Sequence, residues 1–141
     1  ALQPIANGAA FLTYPRSKWW ADHHPEPVVA QPVTPIMILE GVTSLRTAFR
    51  PYIGYGVFVE TPADICLQRG FARDQGMDGK SDEEIYAMWK EWIDAEDRHF
   101  ESDDPRRFAD AVVLGDQPLE PQLAVLASAI EERHQALFPQ K

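Results

Sequence analysis

The sequence has little that would tie it to a membrane, a disulfide-stabilised fold or a nucleic acid. Its single cysteine, Cys66, cannot form an internal disulfide, and a cytoplasmic location is expected. No apolar run approaches the roughly 18 residues that a membrane span needs, and no secretory leader is visible. The formal net charge of -9 argues against a broad DNA or RNA surface. The charge does not exclude a nucleotide substrate, because a few local arginines suffice to bind phosphates, and homo-oligomer formation is left open.

The sequence also lacks the phosphate-binding loop G-x-x-x-x-G-K-[ST]. Gly79-Lys80-Ser81 matches the last three positions, but Asp74 stands where the first glycine is required, and no strand is predicted before it. The chain begins with Ala1 rather than Met, and we expect further sequence upstream of it. Without such a loop, we expect this chain by itself to be inactive as an enzyme.

Short apolar runs predict three buried strands. The first 35 residues hold six of the twelve prolines and predict mainly irregular structure. Val33–Val42, which overlaps the end of this region, contains a short apolar run ended by Glu-Gly. This run and the segments Tyr55–Glu60 and Ala111–Leu114 have the length and the near-continuous apolar character of strands that are buried on both faces.

Helix signals separate these runs. Thr61 and Asp64 have the spacing of a capping box, with Pro62 suited to the first turn, and Ser81 and Glu84 form a second box. After the second box, Ile85, Met88, Trp89 and Trp92 share one helical face, which we expect to pack in the core. The predicted helices are Ser44–Arg50, about Pro62 to Asp74, about Ser81 to Phe100, and about Pro121 to Phe138, the last with an apolar stripe of Leu123, Leu126, Ile130 and Leu137.

Alternating strands and helices predict a single α/β domain over residues 1–141, with parallel strands and covering helices. Three strands make a thin sheet, so we expect a parallel-sheet fold that is incomplete at the N-terminus. Gly76 and Gly79 mark a mobile turn before the second capped helix. Residues 75–104 are interpreted as the hinge and helix of a closing lid.

Glu40 is the first candidate site residue. It ends a predicted buried strand, where the ligand sites of α/β sheets lie, and Gly41 allows a sharp turn beside it. A carboxylate there can hold Mg²⁺ that bridges phosphate oxygens. The alternative is a strand-end glutamate that faces solvent.

Arg69 and Arg73 are the second candidates because they are four residues apart and share a helical face. Two guanidinium groups on one face can clamp phosphoryl oxygens and stabilise charge during transfer, and Lys80 could add a third cation. The alternative is a solvated face with either arginine paired to a nearby acid.

The segment around the third strand supplies further candidates. Asp110 precedes the strand, and Gly115 and Asp116 follow it, which suits either a loop near a nucleotide base or a plain turn. His23-His24 could suggest a metal site, but neighbouring histidines rarely share one metal, so a solvated proline-rich loop is favoured. Trp19 could line a pocket or simply pack.

The motifs together resemble the uridine kinase family of P-loop kinases, which also neighbours phosphoribulokinase and pantothenate kinase. The resemblance covers about residues 1–120 and rests on the order of short motifs rather than on any one of them. They are Leu2–Gly8 before Tyr14-Pro15-Arg16, Ile38–Val42, Phe58–Asp64, Arg69–Asp74 and Ala109-Asp110. Ser17-Lys18 departs from the family's Tyr-Asp pair, and Lys80 stands where the family usually has arginine.

The resemblance implies an ATP-dependent phosphotransferase that uses ATP or another nucleoside triphosphate with Mg²⁺. It implies roles in catalysis for Glu40, Arg69 and Arg73, with Glu40 also at the metal. It further implies substrate binding by Tyr14, Trp19, His23 and Lys80, and cofactor binding by Arg69, Gly115 and Asp116. The acceptor would be a nucleoside or a similar small hydroxyl compound. The alternative is a non-catalytic binding or regulatory module that kept the fold without the phosphate loop.

Overall fold

The computed structural model describes residues 2–15 and 28–137. By its internal contacts the chain divides into two compact units, Ala1–Ile53 and Gly54–Lys141. None of the described helices is both long and apolar enough to cross a lipid bilayer. The expected single α/β domain stays a prediction.

The first unit contains an antiparallel strand pair where irregular structure was expected. Helix α1 spans Leu2–Ala6, and strands β1 (Phe11–Pro15) and β2 (Val28–Pro32) pair in register from Phe11 opposite Pro32 to Pro15 opposite Val28. The prediction was wrong because it was based on the number of prolines and did not consider the strand-forming residues between them. Pro15 and Pro32 end their strands, where a missing backbone donor costs least.

The predicted strand Val33–Val42 does not form. This segment is irregular, and its apolar side chains lie in solvent, with Ile38 90% exposed and Ile36 72% exposed. An apolar run becomes a strand only when a neighbouring strand accepts its backbone hydrogen bonds. No strand pairs with this segment in the described chain, so its composition alone does not determine its structure.

The predicted helix Ser44–Arg50 is also wrong. Successive turns occupy this segment, and a short 3₁₀ turn follows at Arg50–Tyr52. Pro51 lies inside that turn, where its fixed φ and missing N–H are tolerated, rather than after the end of a helix. The Arg50 side chain donates from Nε to the Leu45 carbonyl at 2.9 Å and holds the turns together.

The second unit is a mixed α/β structure around a small parallel sheet. Strands β3 (Val57–Glu60) and β4 (Ala111–Leu114) confirm two of the three predicted runs and pair in parallel from Val57 with Ala111 to Glu60 with Leu114. At their amino ends, the Asp110 carboxylate accepts from the Gly56 amide at 2.8 Å. At their carboxyl ends, the Gly115 amide donates to the Glu60 carbonyl at 2.8 Å.

The helix predicted after β3 forms, but its predicted cap does not. Helix α2 spans Ala63–Asp74, with Pro62 at the N-cap position and no side-chain capping bond. Thr61 is not the cap, because its hydroxyl lies beside Gly115 instead. A 3₁₀ turn at Met77–Gly79 follows the helix.

Helix α3 spans Asp82–Asp103 and begins with the predicted capping box. The Glu84 amide donates to Ser81 Oγ at 3.3 Å, and the Ser81 amide donates to the Glu84 carboxylate at 2.8 Å. Ile85 is fully buried, which stabilises the fold by about 1.5–3 kcal/mol. Trp92, expected in the core, is 54% exposed, so the packed face of α3 is narrower than its sequence indicates.

The rest of the second unit comprises a helical turn and a long helix. Helix α4 (Pro105–Phe108) directly follows α3, and α5 spans Leu119–Leu137. The Gln122 side chain of α5 accepts from the Leu114 amide at 2.7 Å and donates to the Leu114 carbonyl at 3.1 Å. This amide therefore occupies the free edge of β4, as a neighbouring strand would.

Candidate functional site

The carboxyl ends of the two parallel strands border a cleft of about 470 Å³. Ligand sites of α/β proteins lie at this edge of the sheet, because the loops that follow the strands diverge there. The residues that line the cleft end the two strands or directly follow them: Glu60, Thr61, Pro62, Leu114, Asp116 and Gln117. Asp116, predicted to bind the cofactor, therefore lies at the position expected for a ligand-binding loop.

Arg69 and Gly115 are the two predicted site residues that a described contact joins. Arg69 Nη1 donates to the Gly115 carbonyl at 2.8 Å, which holds this arginine of α2 against the loop after β4. In the part of the chain that the structure describes, its other N–H groups make no hydrogen bond. They can therefore donate to an anion in or near the cleft.

Gly115 is required for the close approach of two loops. A Cβ at this position would lie 2.1 Å from Thr61 Oγ1, far inside contact distance. Both backbone groups of Gly115 are engaged, the amide with Glu60 and the carbonyl with Arg69. The glycine thus shapes the cleft, while its proposed contact with a cofactor stays a prediction.

Glu60 and Arg106 form an ion pair that the sequence did not point to. Arg106 of α4 donates to Glu60 from Nε at 2.7 Å and from Nη2 at 3.3 Å, a two-pronged pairing. The hydrogen bond from Arg106 lowers the pKa of Glu60 below its ordinary value. The carboxylate that lines the cleft is thereby kept ionised and oriented.

Arg73 does not stand alone on its helical face. Its Nε donates to Asp74 Oδ1 at 2.6 Å and its Nη2 to Asp74 Oδ2 at 2.9 Å. The Trp89 indole of α3 donates to the same Oδ2 at 3.1 Å. The pairing with a nearby acid that was weighed for the two arginines therefore holds for Arg73.

The pKa of the Asp74 carboxyl is lowered, first by the hydrogen bond from Arg73, although burial opposes the shift. Since the folded state favours the ionised form, this carboxylate stabilises the fold fully above its ordinary pKa of about 3.9. That contribution is lost as the pH falls through the lowered folded-state pKa. We expect the stability advantage of the wild type over Asp74→Asn to shrink below about pH 4.

Urea unfolding of both proteins, followed from about pH 6 to about pH 3, measures this difference. Asp94→Asn, an exposed aspartate on α3, is the matched control for the loss of one carboxylate. A constant gap between the wild type and Asp74→Asn over the whole range would contradict the pairing.

Lys80 lies directly after the 3₁₀ turn, where its ammonium contacts Asp78 at 3.2 Å. Asp78 has a positive φ of 54°, and Gly76 and Gly79 have φ of 75° and 70°. These left-handed conformations explain why glycines stand in this turn, while its predicted mobility stays a prediction. The role of Lys80 in substrate binding stays a prediction.

The remaining predicted residues belong to the first unit. Glu40 is exposed and irregular backbone surrounds it, so it does not end a strand as expected, and Tyr14 is half-buried in β1. Trp19 and His23 lie outside the described residues. Glu40 and Tyr14 keep their proposed roles as predictions.

Carboxylates suit Mg²⁺, which binds oxygen ligands. Among residues 2–15 and 28–137, no three His, Cys, Asp or Glu side chains cluster around a common point. Mg²⁺ commonly takes one or two carboxylates and completes its shell with water and substrate phosphates. Glu40 could supply one such carboxylate, with the phosphates of a nucleotide as further ligands.

The described geometry is that of a mixed α/β protein in which an arginine-bearing helix lies beside the carboxyl edge of two parallel strands. The sequence is similar to the uridine kinases of Escherichia coli K12, Escherichia fergusonii and Klebsiella pneumoniae, at 36% identity over 59 residues. The match covers 41% of this chain and 28% of each relative's length. No family model matches the sequence. The comparison supports a partial, uridine-kinase-like relationship.

Proposed function

We propose that this chain belongs to an ATP-dependent phosphotransferase of the uridine kinase type, which phosphorylates a hydroxyl of a nucleoside or a similar small molecule. The observation that carries the proposal is the contact of Arg69 with Gly115 at the carboxyl edge of the parallel strands. A cation with unused donors beside this edge, where α/β proteins bind their ligands, supports the binding of an anionic substrate. The partial similarity to uridine kinases supports the same activity.

Phosphoryl transfer from ATP depends more on positive charge around the transferred group than on a reactive side chain. The bond from the γ-phosphorus to the bridging oxygen of ATP breaks, and a bond from that phosphorus to the acceptor oxygen forms. The acceptor loses its hydroxyl proton, and the products are ADP and a phosphate monoester. Negative charge spreads over the transferred oxygens, so guanidinium groups at fixed positions lower the barrier.

The proposed roles follow from these needs. Arg69 binds and stabilises the transferred group, and Arg73 and Lys80 contribute further charge. By the resemblance, Glu40 would hold Mg²⁺, which would supply positive charge to the phosphate oxygens. Asp116 lines the cleft at the carboxyl ends of the strands and is proposed to contact the nucleotide. No residue of this sequence is assigned the role of general base.

A coupled assay of ADP formation tests the proposal, with the polypeptide produced at the length of its natural reading frame. Uridine, cytidine, pantothenate and small sugars serve as the acceptor panel, each with ATP and Mg²⁺. We expect acceptor-dependent ADP formation with at least one nucleoside. The absence of turnover with every acceptor would contradict the proposed phosphotransferase activity and would favour a non-catalytic binding module.

A further inference from the structure

The Arg73 guanidinium is fixed by two hydrogen bonds although most of its side chain is in solvent. Its side chain is 71% exposed, whereas that of its partner Asp74 is only 9% exposed. Both Nε and Nη2 donate to the one carboxylate, a geometry that allows little rotation of the guanidinium plane. Nη1 has no hydrogen bond among the described residues, so one edge of the group is left for a ligand.

Trp89 holds this pair from the neighbouring helix. Its indole N–H donates to Asp74 at 3.1 Å, and its ring lies 5.5 Å from the centre of the Arg73 guanidinium. Indole and guanidinium at this distance attract each other through the negative face of the ring. Two contacts from one side chain of α3 thus orient an acid and a cation of α2.

Gly70 makes room for the indole. A Cβ at this position would lie 2.3 Å from Trp89 Cζ2, so any other residue would displace the ring. Gly70 and Asp74 are four residues apart and share the face of α2 that meets Trp89. Because Gly70 has no side chain, the Trp89 indole can approach α2 closely enough to donate its hydrogen bond to Asp74.

We propose that Asp74 and Trp89 are positioning residues for Arg73, which hold its guanidinium ready for the oxygens of a phosphoryl group. This proposal rests on the proposed function. A free arginine side chain loses rotational freedom when it binds, and a side chain that is already held avoids this loss. In this role, Trp89 does not contact the substrate and acts only by positioning Arg73.

The test measures the affinity for inorganic tripolyphosphate by isothermal titration calorimetry at constant ionic strength. Trp89→Phe keeps a ring of similar position and leaves the net charge unchanged, but it removes the hydrogen bond to Asp74. We expect it to weaken binding about two- to tenfold, the cost of ordering one long side chain. Trp92→Phe, one turn further along α3 and exposed, is the matched control and should leave the affinity unchanged.

A double-mutant cycle separates positioning from a general structural effect. In an Arg73→Ala background, Trp89→Phe should have no further effect, because the group that Trp89 positions is gone. A structural role would weaken binding equally in both backgrounds and would overturn the proposal. If Trp89→Phe does not fold, Asp74→Asn takes its place in the same cycle, where its charge effect cancels.

Two failures can be told apart. Tripolyphosphate binding by the wild type that Trp89→Phe leaves unchanged would overturn the positioning role and leave the proposed function standing. No measurable binding by the wild type would contradict the phosphate site itself, and with it both proposals.

Discussion

Replacing Arg69 by alanine is expected to lower kcat by about 10²- to 10³-fold, the usual effect of removing one donor to transition-state charge. The loss should fall on kcat more than on KM, because negative charge at the transferred group is best stabilised in the transition state. Stability should change by only about 0.5 kcal/mol, since the side chain is exposed. Steady-state kinetics with ATP and the best acceptor, alongside thermal unfolding, measure both quantities.

Arg98→Ala provides the matched control for this prediction. Arg98 is an exposed arginine of α3, and its removal changes the net charge by the same amount. We expect its kcat to stay near the wild-type value. An equal loss of activity in both variants would indicate a general charge effect, and full activity in Arg69→Ala would remove Arg69 from the proposed site.

Replacing Gly70 by alanine is expected to destabilise the protein, which is the opposite of the usual effect inside a helix. Alanine is favoured over glycine in a helix interior by about 1 kcal/mol. Here the added Cβ would lie 2.3 Å from the Trp89 ring, and overpacking of this kind costs about 1–3 kcal/mol. The clash should equal or exceed the helix gain, so urea unfolding should show a net loss of up to about 2 kcal/mol.

Two companion variants make this prediction specific. Gly54→Ala is the control, because a Cβ there meets nothing within 4 Å, and we expect it to be neutral or slightly stabilising. Gly70→Ala combined with Trp89→Phe should regain stability relative to Gly70→Ala alone, because phenylalanine lacks the ring atoms that clash. Stabilisation by Gly70→Ala alone would contradict the packing of α2 against Trp89.

Elements with strong local signals could be predicted from the sequence. The capping box at Ser81 and Glu84 fixes the start of α3, because both partners lie within one turn of each other. The apolar run Ala111–Leu114 is short and is closed by Gly115, which suits a buried strand. In each case the determining residues are neighbours in sequence.

Elements that depend on distant partners could not be predicted in this way. The run Val33–Val42 looks like a strand, but no described strand pairs with it, whereas β1 and β2 pair despite their prolines. A strand forms only when a second segment pairs with it, so the composition of one segment alone does not determine whether it becomes a strand.

In the candidate site too, residues with a local sequence pattern could be predicted, whereas pairs that are distant in sequence could not. Arg69 and Arg73 could be found because they recur at helical spacing. The pairs Glu60 with Arg106 and Asp74 with Trp89 join residues 46 and 15 positions apart, and no local pattern connects them. Glu60 stands at a strand end, as Glu40 was expected to, so the same criterion could have selected it.

The most direct test of the central claim is the fate of the γ-phosphate of ATP when uridine is the acceptor. With the natural-length polypeptide and Mg²⁺, phosphorus NMR should show ADP and a uridine phosphate monoester forming in equal amounts. Omission of uridine should stop the formation of ADP. Formation of ADP without a monoester, or no consumption of ATP with uridine or any other acceptor of the panel, would contradict a phosphotransferase of the uridine kinase type.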